Sequence, residues 1–587
     1  MSQSSSTHPT TRVSVIRRSV PKTRQPLHDN AVLHRVLAAR GVQNEQELDF
    51  SLADLPRPEH LPDIEKACAR LVQAHKDHET ILIVGDYDCD GATSTALMMR
   101  VLRAMDFDSV DYVIPDRALH GYGLSPAVID VGFERHKPSL IITVDNGVSA
   151  NEAIDYAASK HIDVVVTDHH LPADTLPKAV AVVNPSRADS KFPSANIAGV
   201  GVAFYFLVAL RKALLDAGRL ARTVRLADWL DLVAIGTVAD VVPIDSVNRI
   251  LVEQGLRRIR AGSALPGVAS LIKVAKKDIH ALSSIDIGMV IGPRLNAAGR
   301  IDDMDVGVRC LLADEPSEAE LLAKSLQGLN DRRRSIQSDV QEDAERIVEE
   351  IKSSTELSDR TRFAYAVHQP DWHQGVIGIV AGRLKDQLHL PVVVFASDEA
   401  GLLKGSARSI PGVNIRDMLV NVNHALPGVI ERFGGHAMAA GLTMQAAGFD
   451  DFVTELNRCV AQALNDVIPV RQFETDGELA LNEFNLSTAK LLAHAAPWGT
   501  RFESPTFDNH FVVERSRLVG NDRHAQLQLR PLSSESGEAG APISAISFGD
   551  SRTFSVGDEV HAVFELSVNR YQNRESVQMI LRHLAPR

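Results

Sequence analysis

The chain has 587 residues, too many for one hydrophobic core, so about three or four domains are expected. A net charge of −13, with 44% hydrophobic and 23% charged residues, fits a globular protein and excludes one that coats nucleic acid through bulk positive charge. Any nucleic-acid contact must then be local. Every apolar run falls short of the ~18 residues that span a bilayer, so no membrane association is expected. The opening MSQSSSTHPTTR lacks the apolar core of a secretory signal and reads as a disordered tail. Cys68, Cys89, Cys310 and Cys459 are scattered, with no CxxC pair, which suits a reducing cytoplasm and gives no zinc signature.

Residues 1–49 read as a tail and leading segment. Beyond them, Ile81–Val84, Tyr112–Ile114, Leu140–Val144, Val164–Thr167 and Val180–Val183 are short apolar runs of the kind that form buried parallel strands. Helical stretches such as Thr93–Met105 and Asn151–Lys160 separate most of them, which predicts a doubly wound α/β lobe over 50–308. Ligands of such sheets lie beyond the carboxyl ends of the strands. Three runs end there in related residues: Asp86, Asp88 and Asp90; then Asp145; then Asp168, His169 and His170. A helical stretch, Leu226–Thr237, leads into Asp240.

From Pro316 to Ile351, Leu322, Leu326, Leu329, Ile336, Val340, Ala344, Ile347 and Ile351 recur at spacings of three, four or seven. This is a helical stripe, read as a connector over 309–355 in preference to one helix on one core. A smaller α/β lobe is expected over 356–468, with strands at Phe363–Val367 and Val392–Phe395. Over 469–587, Phe511–Val513, Ala525–Leu529, Ile543–Phe548, Glu559–Leu566 and Ser576–Leu581 predict a small β-barrel or sandwich. Its aromatics Phe511, Phe548, Phe564 and Tyr571 suit a core or a nucleobase equally.

Three aspartates in GDYDCDG admit several readings. DxDxDG opens a calcium loop, but the twelfth position, a bidentate Glu in such loops, is Leu97. An aspartyl-phosphate phosphatase also places Asp-x-Asp after a strand, but it leaves the downstream Asp-His-His unexplained. A turn needs Asp and Gly, but not three carboxylates. In extended chain, alternate side chains share a face, so Asp86, Asp88 and Asp90 would converge and require a cation. Carboxylates and imidazoles without thiolates suit Mn²⁺ or Mg²⁺. Two such ions, roughly 3.5–4 Å apart, serve phosphodiester or phosphoanhydride hydrolysis.

GDYDCDG, TVDNG, TDHH and GTVADVVP, in that order, resemble the motifs of the DHH phosphoesterase superfamily. GPRLNAAGR, KGSARS and GGHAMAAG are similar to those of its RecJ exonuclease branch, and the last part is more weakly similar to an oligonucleotide-binding (OB) barrel. The resemblance implies DHH, DHHA1 and OB domains. It also implies a 5′ to 3′ single-stranded-DNA exonuclease that releases mononucleotides with two divalent cations, Mn²⁺ or Mg²⁺, in recombination and repair. Carried over by motif, Asp90, Asp145, His169 and Asp240 hold one ion. Asp86 and Asp88 surround the other, with Asp145 bridging. His170 faces the scissile phosphate as acid or electrostatic stabiliser, and Asp168 orients the neighbouring histidine or a ligand.

Arg294, Asn296 and Arg300 form a donor set suited to phosphate, or else a structural loop. Ser406 and Arg408 match a pocket for the 5′ phosphate. Gly434, Gly435 and His436 admit a phosphate or form a turn, and Arg117 contacts the strand or only solvent. The implied partners are single-stranded DNA with a free 5′ end, a helicase and a single-strand-binding protein, and the chain is expected to be a monomer. Two rivals are a phosphodiesterase for short oligonucleotides or cyclic dinucleotides and a catalytically silent replication scaffold. One departure stands out: Pro497-Trp498-Gly499-Thr500-Arg501-Phe502-Glu503 lacks the Asn of the glycine-asparagine-proline loop common at the barrel's entry.

Overall fold

The computed structural model describes residues 13–587 except 118, 221–223, 354–361, 399, 521, 535–536 and 573. The expected tail and positions 354–355 of the connector therefore lie outside the described residues, as does the Tyr571 side chain. The chain forms two compact units. Of the described residues, the larger holds those within 17–330 and 474–587, and the smaller those within 331–473 together with 13–16.

After strand β1 (Val13–Arg17), the larger unit builds a parallel sheet from β2 (Ile81–Val84), β3 (Val110–Val113), β4 (Leu140–Val144), β5 (Asp163–Thr167) and β6 (Ala181–Val183). β2 and β4 are buried at every residue, as strands covered by helices on both faces must be. The covering helices include α1 (Cys89–Ala104) and α2 (Gly199–Asp216), while α3 (Leu230–Ala239) and α4 (Gly292–Ile301) pack against α1. The strand order is β3-β2-β4-β5-β6. The chain thus leaves β2 toward one edge and returns on its other side as β4. Their carboxyl ends diverge at this switch point, which opens a crevice.

The predicted stripe is one helix, α5 (Pro316–Ser353). Leu322 and Leu326 enter the larger unit's core, while Val340, Ala344 and Val348 join the smaller unit's. That smaller unit holds β7 (Tyr365–Gln369), α6 (Gln374–Leu388), β8 (Val392–Ser397), β9 (Leu402–Arg408), β10 (Ile430–Gly435) and β11 (Ala439–Gln445). The order is β10-β11-β9-β8-β7, and only β7 and β8 run parallel. The segments KGSARS and GGHAMAAG, where no strand is expected from the sequence, therefore lie largely in strands. Gly, Ser and Lys have low strand propensity, but pairing with the apolar β8 overrides it.

Strand β12 (Arg471–Thr475) pairs with β1. A closed five-stranded barrel follows: β13 (Phe507–Val519), β14 (His524–Leu532), β15 (Ile543–Phe548), β16 (Glu559–Tyr571) and β17 (Arg574–Pro586). Phe507, Phe511 and Phe564 fill it, whereas Phe548 is 62% exposed. Trp498 and Phe502 of the departing loop stack at 5.2 Å. Ser284 donates to the Trp498 carbonyl at 2.7 Å and Ile244 N–H to the Thr500 carbonyl at 2.8 Å. The loop thus fastens the barrel to the larger unit's helices without an asparagine. Beside it, Arg40 binds Asp476 with two hydrogen bonds of 2.8 and 3.0 Å, and both side chains are buried.

Arg40→Ala removes the bidentate partner of the buried Asp476 carboxylate and leaves it the Thr506 amide at 3.0 Å and Arg18 at 3.7 Å. It should destabilise the fold by about 3–5 kcal/mol, while Arg40→Met with Asp476→Leu recovers most of the loss. Urea unfolding of the full chain measures both.

Candidate metal centre

The acidic motif bends at once from strand into helix. Asp86 lies just past β2, Asp88 is the N-cap of α1, and Asp90 is the helix's second residue. The three aspartates are therefore not alternate residues of extended chain, and they do not share one face by pleating. A turn brings them together, and each is fixed differently. Asp88 Oδ1 accepts the amides of Asp90 and Gly91 at 2.9 and 3.0 Å. Asp90 accepts the first two amides of α2, from Gly199 at 2.6 Å and Val200 at 3.0 Å. Gly91 admits the turn, because a Cβ there would lie 2.3 Å from the Asp86 carbonyl oxygen.

Asp145 ends β4 with a left-handed backbone, φ 62°, a strained conformation outside glycine. Next to it, the Asn146 amide donates to the carbonyls of Val84 (3.0 Å) and Val144 (2.9 Å), and its oxygen accepts from Leu124. This side chain stitches the ends of β2 and β4 together. After β5, Asp168 Oδ1 accepts the amides of His169 and His170 and the His170 ring Nδ1 at 2.8 Å, while Oδ2 accepts the Val148 amide. Asp240 caps the C-terminus of α3.

These side chains converge into three overlapping groups whose ligand atoms lie within 4.8 Å of one another: Asp86, Asp88 and Asp145; Asp90, His169 and Asp240; and Asp145, His169 and His170. His169 Nε2 stands 3.1 Å from Asp145 Oδ1 and 3.5 Å from Asp240 Oδ2. Asp86 Oδ1, Asp145 Oδ1 and His169 Nε2 are buried without a hydrogen-bond partner. Buried polar atoms are rarely left so, because an unmet lone pair costs roughly 1–3 kcal/mol, and more where it is charged. All three are potential ligand atoms, so the donor set fits divalent cations. Glycines clear the space: a Cβ on Gly199 would lie 2.6 Å from the Asp145 carboxylate, and one on Gly236 would lie 2.7 Å from Asp90 Oδ1.

Burial, then repulsion among the aspartates, pushes the carboxyls of Asp86, Asp145 and Asp240 well above the ordinary range and Asp90 to about 7. Burial, then His170, lowers His169 to about 4, which leaves it a neutral ligand. Burial is the largest influence on Asp168 and His170 and opposes ionisation of both, but their mutual hydrogen bond together with the surrounding charges and amides outweighs it, so Asp168 is lowered and His170 raised. A group with a raised folded pKa stabilises the fold below its unfolded value and loses that contribution as pH rises through the folded one. Without cations, this cluster therefore weakens the fold as pH climbs from about 4 toward 7.

The other expected residues are dispersed. Arg117 is exposed and lies over the Tyr87 ring at 5.3 Å. Arg294 is only 5% exposed and donates to the Val290 carbonyl (2.6 Å) and Gln327 (2.8 Å), so these donors serve the fold. Asn296 Oδ1 accepts the Cys89 amide at 2.8 Å, and Arg300 is half-buried in the last turn of α4. In the smaller unit, Ser406 pairs across strands with Gly441, and Gly441 with Gly434, which leaves a side-chain-free row beside Ser406. Arg408 donates to Ser406 Oγ at 3.2 Å. A Cβ on Gly378 of α6 would lie 2.9 Å from that oxygen. Gly435 (φ 140°) ends β10, and the exposed His436 opens the hairpin loop that follows.

Sequence reasoning missed Tyr122, whose hydroxyl donates to the Asp145 carbonyl at 3.1 Å and lies 3.2 Å from His170 Nε2. It also missed Asn146 and the α2 amides. Asn146 sits inside the quoted TVDNG, so its motif was the signal. Backbone donors leave no trace in a sequence.

The DHH family N-terminal domain matches residues 80–237, the DHHA1 domain 360–462 and the RecJ OB domain 475–583. The single-stranded-DNA-specific exonuclease RecJ of Dickeya dadantii is 44% identical over 97% of this chain and 98% of its own. The chain belongs to the RecJ family. The Escherichia coli RecJ is 42% identical over 98% of this chain and 99% of its own. The crystal structure of Thermus thermophilus RecJ in complex with Mn²⁺ superposes with a TM-score of 0.79 at 27% identity, covering 98% of this chain and 80% of that one. The Mg²⁺ complex of the same protein gives 0.71 at 26% identity, covering 98% and 78%.

In this RecJ-family chain, Asp145→Asn removes a repelling charge. It should raise the melting temperature in EDTA and abolish the rise that Mn²⁺ gives the wild type, about 2.7 kcal/mol at 100 times the dissociation constant. Because the raised carboxyls must lose protons to bind, Mn²⁺ affinity should also fall as pH drops from about 8 to 6. Thermal melts and titration calorimetry check the two.

Proposed function

We propose that this chain is a single-stranded-DNA-specific exonuclease that hydrolyses phosphodiester bonds from a free 5′ end and releases 5′-mononucleotides. The observation that carries the reading is the trio of unpartnered buried ligand atoms on Asp86, Asp145 and His169, at the switch point of the sheet. Asp90, Asp145, His169 and Asp240 would hold one divalent cation, and Asp86, Asp88 and Asp145 the other, Mn²⁺ or Mg²⁺. Bound there, such ions offset phosphodiester charge and lower the pKa of water.

The chain's own residues supply the rest. The ionised Asp168 fixes the His170 ring through Nδ1. That leaves Nε2, now facing the Tyr122 hydroxyl at 3.2 Å, as the edge that could donate to a phosphate oxygen or leaving group, and Asp168 favours the protonated ring. Tyr122 holds that edge and the Asp145 backbone together. Ser406 and Arg408, beside the bare row at Gly434 and Gly441, suit a terminal 5′ phosphate, and Gly435 and His436 continue that edge. Arg117 and Arg300 remain candidates for the strand's backbone.

We place the enzyme in the cytoplasm as a monomer, in recombination and repair, with a helicase and a single-strand-binding protein supplying and presenting strands. The four cysteines are free and buried, which suits a reducing compartment. Among the described residues, no helix is long and apolar enough to cross a membrane. The family match and the filled set of ligand positions disfavour a silent scaffold, and the barrel disfavours a phosphodiesterase for dinucleotides.

With Mn²⁺, a 3′-labelled single strand should shorten from its 5′ end while blunt duplex and dinucleotides persist. Arg408→Ala should lose at least tenfold of the preference for 5′-phosphorylated over 5′-hydroxyl ends. Faster turnover of a dinucleotide than of a long strand would overturn the reading.

A further inference from the structure

We propose that Asn296 is a positioning residue of the metal centre, acting through the α1 N-terminus and not by gripping phosphate. The inference rests on the reading of the acidic cluster as a cation site.

A helix begins with amides that lack partners within the helix, and such an end is a ready anion site. At α1 the first three amides are all occupied. Asp88 Oδ1 takes those of Asp90 and Gly91, and Asn296 Oδ1, from 207 residues away, takes that of Cys89 at 2.8 Å. One turn further along α4, Gly299 brings backbone against the same loop, where a Cβ would lie 1.9 Å from the Tyr87 carbonyl oxygen. Helix α4 thus seats the Asp86–Asp90 turn at two points, one on each side of Asp88.

The physical consequence concerns competition for carboxylates. Cys89 is buried, so its amide must find an acceptor inside the fold. Without Asn296 Oδ1, the candidates adjacent in sequence are the carboxylates of Asp88 and Asp90. A carboxylate oxygen that turns to the amide is lost to a cation. The neutral amide oxygen of Asn296 satisfies the donor without adding a fourth charge to the turn. GPRLNAAGR then reads as a brace for the acidic turn, with the buried Arg294 anchoring α4 through Val290 and Gln327.

The test uses the full chain in three forms: wild type, Asn296→Ala and Asn296→Asp, the last keeping the acceptor. Mn²⁺ affinity is measured by calorimetry, and affinity for a 3′-fluorescein single strand by anisotropy in EDTA. Loss of an outer support of this kind typically weakens metal binding 10- to 100-fold. Asn296→Ala should show such a loss, Asn296→Asp should recover most of it, and DNA affinity in EDTA should hold. At saturating Mn²⁺, kcat should return toward wild type with KM for the strand unchanged.

Wild-type Mn²⁺ affinity in Asn296→Ala, with DNA binding weakened, would make the residue a phosphate ligand and overturn the proposal. If Asn296→Ala does not fold, Gly299→Ala, which presses on the same turn, must show the same split between metal and DNA affinity or the proposal fails. A wild-type chain that binds no Mn²⁺ would overturn the metal-centre reading itself.

Discussion

Mutual repulsion among buried carboxylates is the constraint around which this molecule is organised. Asp86, Asp90 and Asp145 are each almost wholly removed from water, and they stand with Asp88 and Asp240 around one imidazole. Bringing such charges together is unfavourable by several kcal/mol unless protons or cations intervene. Among the described residues no lysine or arginine forms an ion pair with them, and His169, their imidazole neighbour, is held neutral, which is the signature of a site that binds positive charge.

Several devices hold that arrangement against its own repulsion. Strand order places β2 and β4 side by side with their carboxyl ends diverging, and Asn146 ties those ends together. The N-termini of α1 and α2 aim backbone amides at Asp88 and Asp90, and their dipoles favour negative charge there. Glycines at 91, 199 and 236 remove side chains that would occupy the hollow. Asp168 is the exception among the acids: with four donors to its two oxygens it is held ionised, and it orients a histidine instead of joining the repelling set.

The parallel sheet was legible because its strands are dense branched-apolar runs: Ile81–Val84 and Leu140–Val144 coincide with the observed strands. The long helix was equally plain from its stripe. Less legible was β9, whose Lys404, Gly405 and Ser406 owe their strand conformation to neighbours distant in sequence. The site's acids were found from their recurrence at strand ends, but the reason for their convergence was misjudged. Asp90 belongs to a helix, and no local pattern distinguishes an N-cap turn from two more strand residues when Cys and Gly follow. Arg294 and Asn296 illustrate a second limit. Donor chemistry is visible in a sequence, whereas the direction in which a side chain points depends on packing hundreds of residues away.

The most direct test of the central claim is anomalous diffraction from a crystal soaked in Mn²⁺. Two peaks are predicted, one bounded by Asp86, Asp88 and Asp145 and the other by Asp90, His169 and Asp240, with Asp145 reaching both. Full-occupancy manganese elsewhere, with these carboxylates paired to one another through shared protons, would contradict the account.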